Sequence, residues 1–291
     1  MRDSPGDIRS MEPPVEAGTP PLPRQLVVLP PSSQASPASW RLAAARRRFV
    51  VRQGRRLVRG LASGLFAAFS VLLALSPAKA QVAPSAAQAA AYRELHAAAY
   101  QGDTAAVQRQ LAAGASADLR DTHGRTPLHV ATFQGHHDVI RALAKAGADL
   151  GALESDRYDA VTIASVADDE ATLRLLLSLG ASPSLVTSRY DGTALIAAAH
   201  LGHPGIVRQL VEAGAPLDHV NNLHWTAVIE SIVLGDGGVR HQETLSILIR
   251  AGANLAIGDR SGNTPLALAR SRGHAEMVRM LEAVGAKEPQ R

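Results

Sequence analysis

The last two hundred residues of the chain alternate short apolar stripes with polar, glycine-punctuated breaks. Val139, Ile140 and Leu143 fall at i, i+1 and i+4, one side of a helix, and Ile206, Val207 and Leu210 repeat the spacing, as do Met277, Val278 and Leu281. Each stripe ends in a small-Gly-small triplet. The six copies are Ala113-Gly114-Ala115, Ala146-Gly147-Ala148, Leu179-Gly180-Ala181, Ala213-Gly214-Ala215, Ala251-Gly252-Ala253 and Val284-Gly285-Ala286. Their glycines are 33, 33, 34, 38 and 33 residues apart. A period in the low thirties predicts a stack of supersecondary units, none able to hide its apolar side alone.

The second copy shows what a unit contains. Thr126 offers a hydroxyl to cap a helix start, and Pro127 fits the first turn, where an N–H has no partner in any case. Gly135 suits the left-handed end of that helix, the Val139 stripe predicts a second helix, and Gly147 closes it. The unit reads helix, turn, helix, loop. Thr126-Pro127-Leu128-His129, Gly135-His136 and Gly147-Ala148-Asp149 together resemble the ankyrin repeat, and the resemblance covers roughly residues 86–286. The sixth copy restates it as Gly262-Asn263-Thr264-Pro265-Leu266 with Gly273-His274, and the fourth as Gly192-Thr193-Ala194-Leu195 with Gly202-His203. It implies an all-α solenoid of about six helix-turn-helix units over residues 91–286, with a linker at 81–90 and a tail at 287–291.

Three copies depart from the pattern. The first begins Arg93-Glu94-Leu95-His96, a polar start suited to a terminal cap. The third has Asp159 in the Thr slot and Asp168 in place of the turn glycine, which predicts weaker helix ends. The fifth runs 26 positions from Thr226 to Gly252, against 21 from Thr126 to Gly147, so five extra residues fall near Gly235–His241. These are expected in a loop between its two helices, as a tolerated surface insertion or a contact loop.

The chain before the repeats has a different character. Residues 1–40 hold nine of the 17 prolines and no apolar periodicity, which predicts no packed core. Arg41, Arg46, Arg47, Arg48, Arg52, Arg55, Arg56 and Arg59 then precede a 15-residue apolar run, Leu61 to Leu75. As a helix that run reaches about 22 Å, short of a hydrocarbon core of roughly 30 Å. Ala78-Lys79-Ala80 follows as a small-x-small cleavage site. A basic stretch, an apolar run and a cleavage site predict an export signal over residues 46–80, cut before Gln81. The alternative is an uncleaved inner-membrane anchor. Both place the repeats on the far side, the periplasm of a bacterium, because the arginines stay cytoplasmic. The length upstream of about residue 45 predicts a translation start downstream of Met1.

That leader also owns the positive charge. The whole chain carries 30 basic and 26 acidic residues, but those after Ala80 carry 18 and 22. A mildly acidic array lacks the electrostatic footprint for nucleic acid. With no cysteine in the chain, disulfides are excluded.

Candidate chemistry is sparse. All eleven histidines follow Ala80. By the resemblance, His96 and His129 hold the Thr-Pro-Leu-His slot, and His136, His203 and His274 the Gly-His turn, where histidines tie neighbouring loops and helices together. His136 and His137 are adjacent on a helix and diverge by about 100°, a poor arrangement for one metal. An enzyme or metal carrier using His123, His200 or His241 is the remaining alternative. No nucleophile elbow, zinc-protease or phosphate-loop motif occurs. Asp168-Asp169-Glu170 sits at a helix start, where acids suit the dipole. The expectation is therefore no catalytic residue, no cofactor and no metal.

Aromatic placement carries the functional expectation. Tyr92, Tyr158 and Trp225 precede a first helix by one residue, Tyr190 lies three before Thr193, and Tyr100 and Phe133 lie near first-helix ends. His123, Arg125, Asp156, Arg189, His200, Asn222 and Leu223 share that strip by the same count. In the resembled family these positions line the loop fingers and the concave side of the first helices. Aromatics anchor protein interfaces, so the strip is expected to bind a protein partner, with the array itself monomeric. Packing of the rings against neighbouring fingers is the plainer alternative.

Overall fold

The structure, a computed structural model, describes residues 83–289; the expected leader, apolar run and cleavage site lie outside them. Thirteen helices are described: α1 Ala86–Ala91, α2 Glu94–Gln101, α3 Thr104–Ala112, α4 Pro127–Gln134, α5 His137–Lys145, α6 Ala160–Val166, α7 Glu170–Ser178, α8 Ala194–Leu201, α9 Pro204–Glu212, α10 Ala227–Val233, α11 Val239–Arg250, α12 Pro265–Arg272 and α13 Ala275–Ala283. From α2 onward they form six pairs. First helices pack on first helices and second on second, so α2, α4, α6, α8, α10 and α12 make one layer and their partners the other. This is the all-α solenoid that the glycine period predicts.

The two layers bury different amounts, as their sequences require. All seven residues of α10 and the first six of α4 are buried, because a first helix is flanked by two neighbours and its own second helix. Alanines keep that spacing close. Second helices bury only a stripe, such as Val139, Ile140 and Leu143 in α5 or Ile206, Val207 and Leu210 in α9.

Caps set the boundaries. Thr126, Thr193, Thr226 and Thr264 each accept the amide of the third helical residue. At the other end the six triplet glycines all have positive φ, from 75° to 95°, and no atom within 4 Å of an added Cβ. Backbone conformation alone therefore demands glycine there. The following residue donates to the carbonyl five back, as Ala148 to Leu143 and Ala181 to Leu176, closing a six-residue loop.

The fingers between pairs carry a second device. Asp121, Glu154, Asn221 and Asp259 each accept the amides two and four residues ahead through one side-chain oxygen. Every one of them stands five residues before a helix cap. Adjacent fingers are then joined backbone to backbone, Ser155 donating to His123, Ser188 to Arg157 and Asn222 to Tyr190, at 2.9–3.0 Å.

The departures resolve physically. Arg93 makes no side-chain cap, as its polar start implies. The stretch read as a linker holds α1, closed by a Ser85–Gln88 capping box. The expected weakness at the start of α6 is corrected: the Asp159 carboxylate caps it, accepting the Thr162 amide at 2.8 Å. Asp168 adopts φ 57°, taking the left-handed turn without being glycine. The insertion is only partly a loop, since α11 has twelve residues where the other second helices have nine.

Two of these departures meet. Arg240, in the added turn of α11, reaches past repeat 4 to Asp168 in repeat 3 at 2.6 Å, and its Nε donates to the Gly202 carbonyl at 2.7 Å. A charge pair that skips a repeat couples units that otherwise touch only neighbours. Both groups are partly exposed, so a double-mutant cycle of Arg240→Ala with Asp168→Gly should give a coupling of about 0.5–1 kcal/mol in urea unfolding. Additive single effects would show that the contact carries no energy.

Candidate docking face

The predicted strip divides into two parts that behave differently. At the amino-terminal end its members pack on one another. Tyr92, only 9% exposed, donates from its hydroxyl to Asp121 at 3.1 Å and meets His96 at a tilt and Tyr100 edge-on, with ring centres 5.5 and 6.1 Å away. Burial pushes its hydroxyl above the ordinary tyrosine range, with Arg125 pulling the other way. Arg125 is 6% exposed and holds its guanidinium 5.9 Å from the centre of the half-buried Phe133 ring. Gln88 joins the group, donating from its amide to His123 at 2.8 Å and accepting from Arg125 at 3.4 Å. These contacts pin α1 over the end of the stack. Tyr92 and Arg125 therefore give little surface to a partner, and packing explains them.

From repeat 3 onward the strip opens. Asp156 pairs with Arg189 at 3.0 Å and Arg157 with Asp191 at 2.9 Å, two exposed bridges between neighbouring fingers. Asn222 donates to the Arg189 carbonyl at 3.0 Å. Tyr158 and Trp225 are half-buried at finger bases, and burial, with Asp156 next, raises the Tyr158 hydroxyl. Tyr190 and Leu223, at neighbouring finger tips, are 42% and 40% exposed. Seven of the nine exposed large apolar side chains among the described residues lie between Val186 and Val239. The unpartnered apolar surface is thus concentrated in repeats 4 and 5, not spread along the array.

The concave layer holds the predicted His200 and adds Glu230, which sequence reading missed. His200 sits on α8 with Nδ1 3.4 Å from the Glu230 Oε2 of α10. Glu230 is 4% exposed, and its Oε1 accepts from the Asn221 amide at 2.9 Å. Its register, four past the cap residue, is held by Val130, Ile163, Ala197 and Leu268 in other repeats. Aligning the repeats residue by residue would have exposed this carboxylate among apolar side chains. Leu201 and Leu234, at matching ends of α8 and α10, are the exposed apolar neighbours.

The other histidines mostly tie the stack together, as the resemblance implies. His96 donates from Nε2 to the Arg125 carbonyl at 2.9 Å, and His129 to that of Tyr158 at 3.1 Å. His136, His203 and His241 reach back to the carbonyls of Tyr100, Ser165 and His200 at 3.0 Å. The rings of His136 and His241 would lie 2.9 Å from a Cβ on Gly102 and Gly202, so those turn glycines serve contact as well as φ. Among the described residues no three His, Asp or Glu side chains converge as metal ligands, and no helix is long and apolar enough to cross a membrane.

Comparison with known proteins agrees with this geometry. The family model of ankyrin repeats in three copies matches residues 95–187, and the single ankyrin repeat matches 190–222 and 261–287. The interval between those last two holds the repeat with the insertion. The ankyrin repeat protein YahD of Escherichia coli (strain K12) is 34% identical over 190 residues, 65% of this chain and 94% of that protein. A crystallised ankyrin repeat domain of Acinetobacter baumannii AYE is 40% identical with a TM-score of 0.63, covering 66% of this chain and 98% of that one. The ankyrin repeat domain of human ASB11 shares the fold at 22% identity and a TM-score of 0.56, over 69% and 87% of the two chains. From the punctuating glycines to the paired helices and these relatives, the chain belongs to the ankyrin-repeat family.

Proposed function

We propose that this protein is an exported, non-enzymatic scaffold that holds a partner protein on the concave layer and finger tips of repeats 3–5. The concentration of exposed apolar side chains between Val186 and Val239 carries the reading. Surface of that kind, beside charge pairs already closed on themselves, suits a protein interface better than an enclosed ligand pocket. Export rests on the basic, apolar and small-residue pattern before Gln81.

Partner capture from a periplasmic extract tests the face. Tyr190→Ala with Leu223→Ala should weaken binding by about 1–4 kcal/mol and leave the melting profile unchanged. Arg174→Ala on the second-helix layer, 68% exposed, should change nothing. Full binding by the double variant would sink the assignment. The mass of the exported protein tests processing separately: a start at Gln81 supports cleavage, and a retained apolar run gives the tethered form.

A further inference from the structure

We infer that the docking face reads a basic side chain of its partner, flanked by apolar residues, at the Glu230–His200 pair. This inference rests on the docking reading and names the chemistry of what docks. Glu230 places a carboxylate where the other repeats place Val130, Ile163, Ala197 and Leu268. Burying a carboxylate is costly unless its oxygens are bonded. Asn221 satisfies Oε1 at 2.9 Å, but Oε2 is buried with no hydrogen-bond donor, His200 Nδ1 standing off at 3.4 Å. The array thus leaves half of a buried acceptor unmatched on a first helix of the concave layer.

The local chemistry selects a cation. The His200 side chain is 41% exposed, with Nδ1 turned toward the carboxylate. With no donor on Oε2, that carboxylate oxygen is the acceptor still to be matched, and the His200 ring over it is the exposed group that an approaching side chain must turn aside. Guanidinium and ammonium groups are donor-only and positively charged, and match that arrangement; a carboxylate or phosphate does not. Three arginines of repeats 3 to 5 are committed elsewhere: Arg157 to Asp191, Arg189 to Asp156, and Arg240 to Asp168 and the Gly202 carbonyl. Leu201 follows His200 at the end of α8 and Leu234 lies one turn on from Glu230, each exposed by more than a third, and they supply the apolar contact.

Random dodecapeptides displayed on phage and selected on the exported protein provide the probe. Selected peptides are expected to carry arginine or lysine between apolar residues, and replacing that residue with citrulline should weaken binding at least tenfold. Glu230→Gln keeps the bond from Asn221 and should reduce that discrimination below twofold. Glu230→Leu, matching Leu268 in the same register, should do likewise and guards against a folding defect in the first variant. Peptides that bind, lose binding with Tyr190→Ala plus Leu223→Ala, and yet tolerate citrulline would overturn the cation assignment and leave the docking face standing. Retained preference for the cation in both Glu230 variants would also overturn it. Peptides indifferent to the Tyr190 and Leu223 changes would overturn the face itself.

Discussion

Between pH 6.5 and pH 4 the array is expected to lose about 3 kcal/mol of stability through His129. The ring is fully buried and used at both nitrogens: Nε2–H donates to the Tyr158 carbonyl, and Nδ1 accepts the Thr126 amide at 3.0 Å. Only the neutral imidazole can do both, and burial lowers its pKa from 6.5 to about 4. The unfolded chain takes up a proton near its ordinary value, the native one only near pH 4. Acid in that window therefore favours unfolding, and below it the effect levels off. A shift of that size at about 1.4 kcal/mol per pH unit gives the magnitude. Burial raises the Asp159 carboxyl, which acts in the opposite direction, so the comparison must be made against a variant. Urea unfolding of the wild type and His129→Gln at pH 7, 5.5 and 4 is the measurement. Parallel pH profiles for the two proteins would defeat the assignment to His129.

Leu176→Ala should cost about 3 kcal/mol and break the cooperativity of the array. Leu176 is wholly buried on α7, which packs against α6, α5 and α9, and its carbonyl accepts the Ala181 amide. Removing three carbons there opens a void in the middle of the stack, where no loop can collapse into it. Because each repeat is stabilised chiefly by its neighbours, a weak third repeat uncouples the units on either side. Trp225, the only tryptophan after Ala80, reports on repeat 5, while circular dichroism reports on all helices. In the wild type the two transitions should coincide, and in Leu176→Ala the helical signal should begin to fall first. Coincident transitions with a loss below about 1 kcal/mol would contradict the nearest-neighbour account.

Local chemistry made the repeat legible. A threonine hydroxyl three residues before a free amide, a proline in a first turn and a glycine at positive φ act within one turn of chain, so Thr126, Pro127 and Gly147 announce their structure without reference to neighbours. The fold class, the helix order and the tying role of His96, His129 and His136 followed from such signals and from the family resemblance they carry. Asp159 was misread because the Thr pattern was taken as the rule, whereas any side chain with an acceptor at that reach caps a helix.

The candidate site was legible only in part. Spacing from the cap placed Tyr92 and Tyr190 in one strip, yet Tyr92 is closed over by Asp121, His96 and Tyr100, while Tyr190 stands open. A stack of helical pairs, its punctuation and an acidic array behind a basic amino-terminal stretch could be read from residue order. Which strip residues remain exposed, the pairing of Arg240 with Asp168 and the burial of Glu230 beside His200 emerge only once the repeats are packed together. Those contacts join residues 30 to 72 positions apart, and burial depends on what the neighbouring repeat places against a side chain, which a periodic count along one chain does not register.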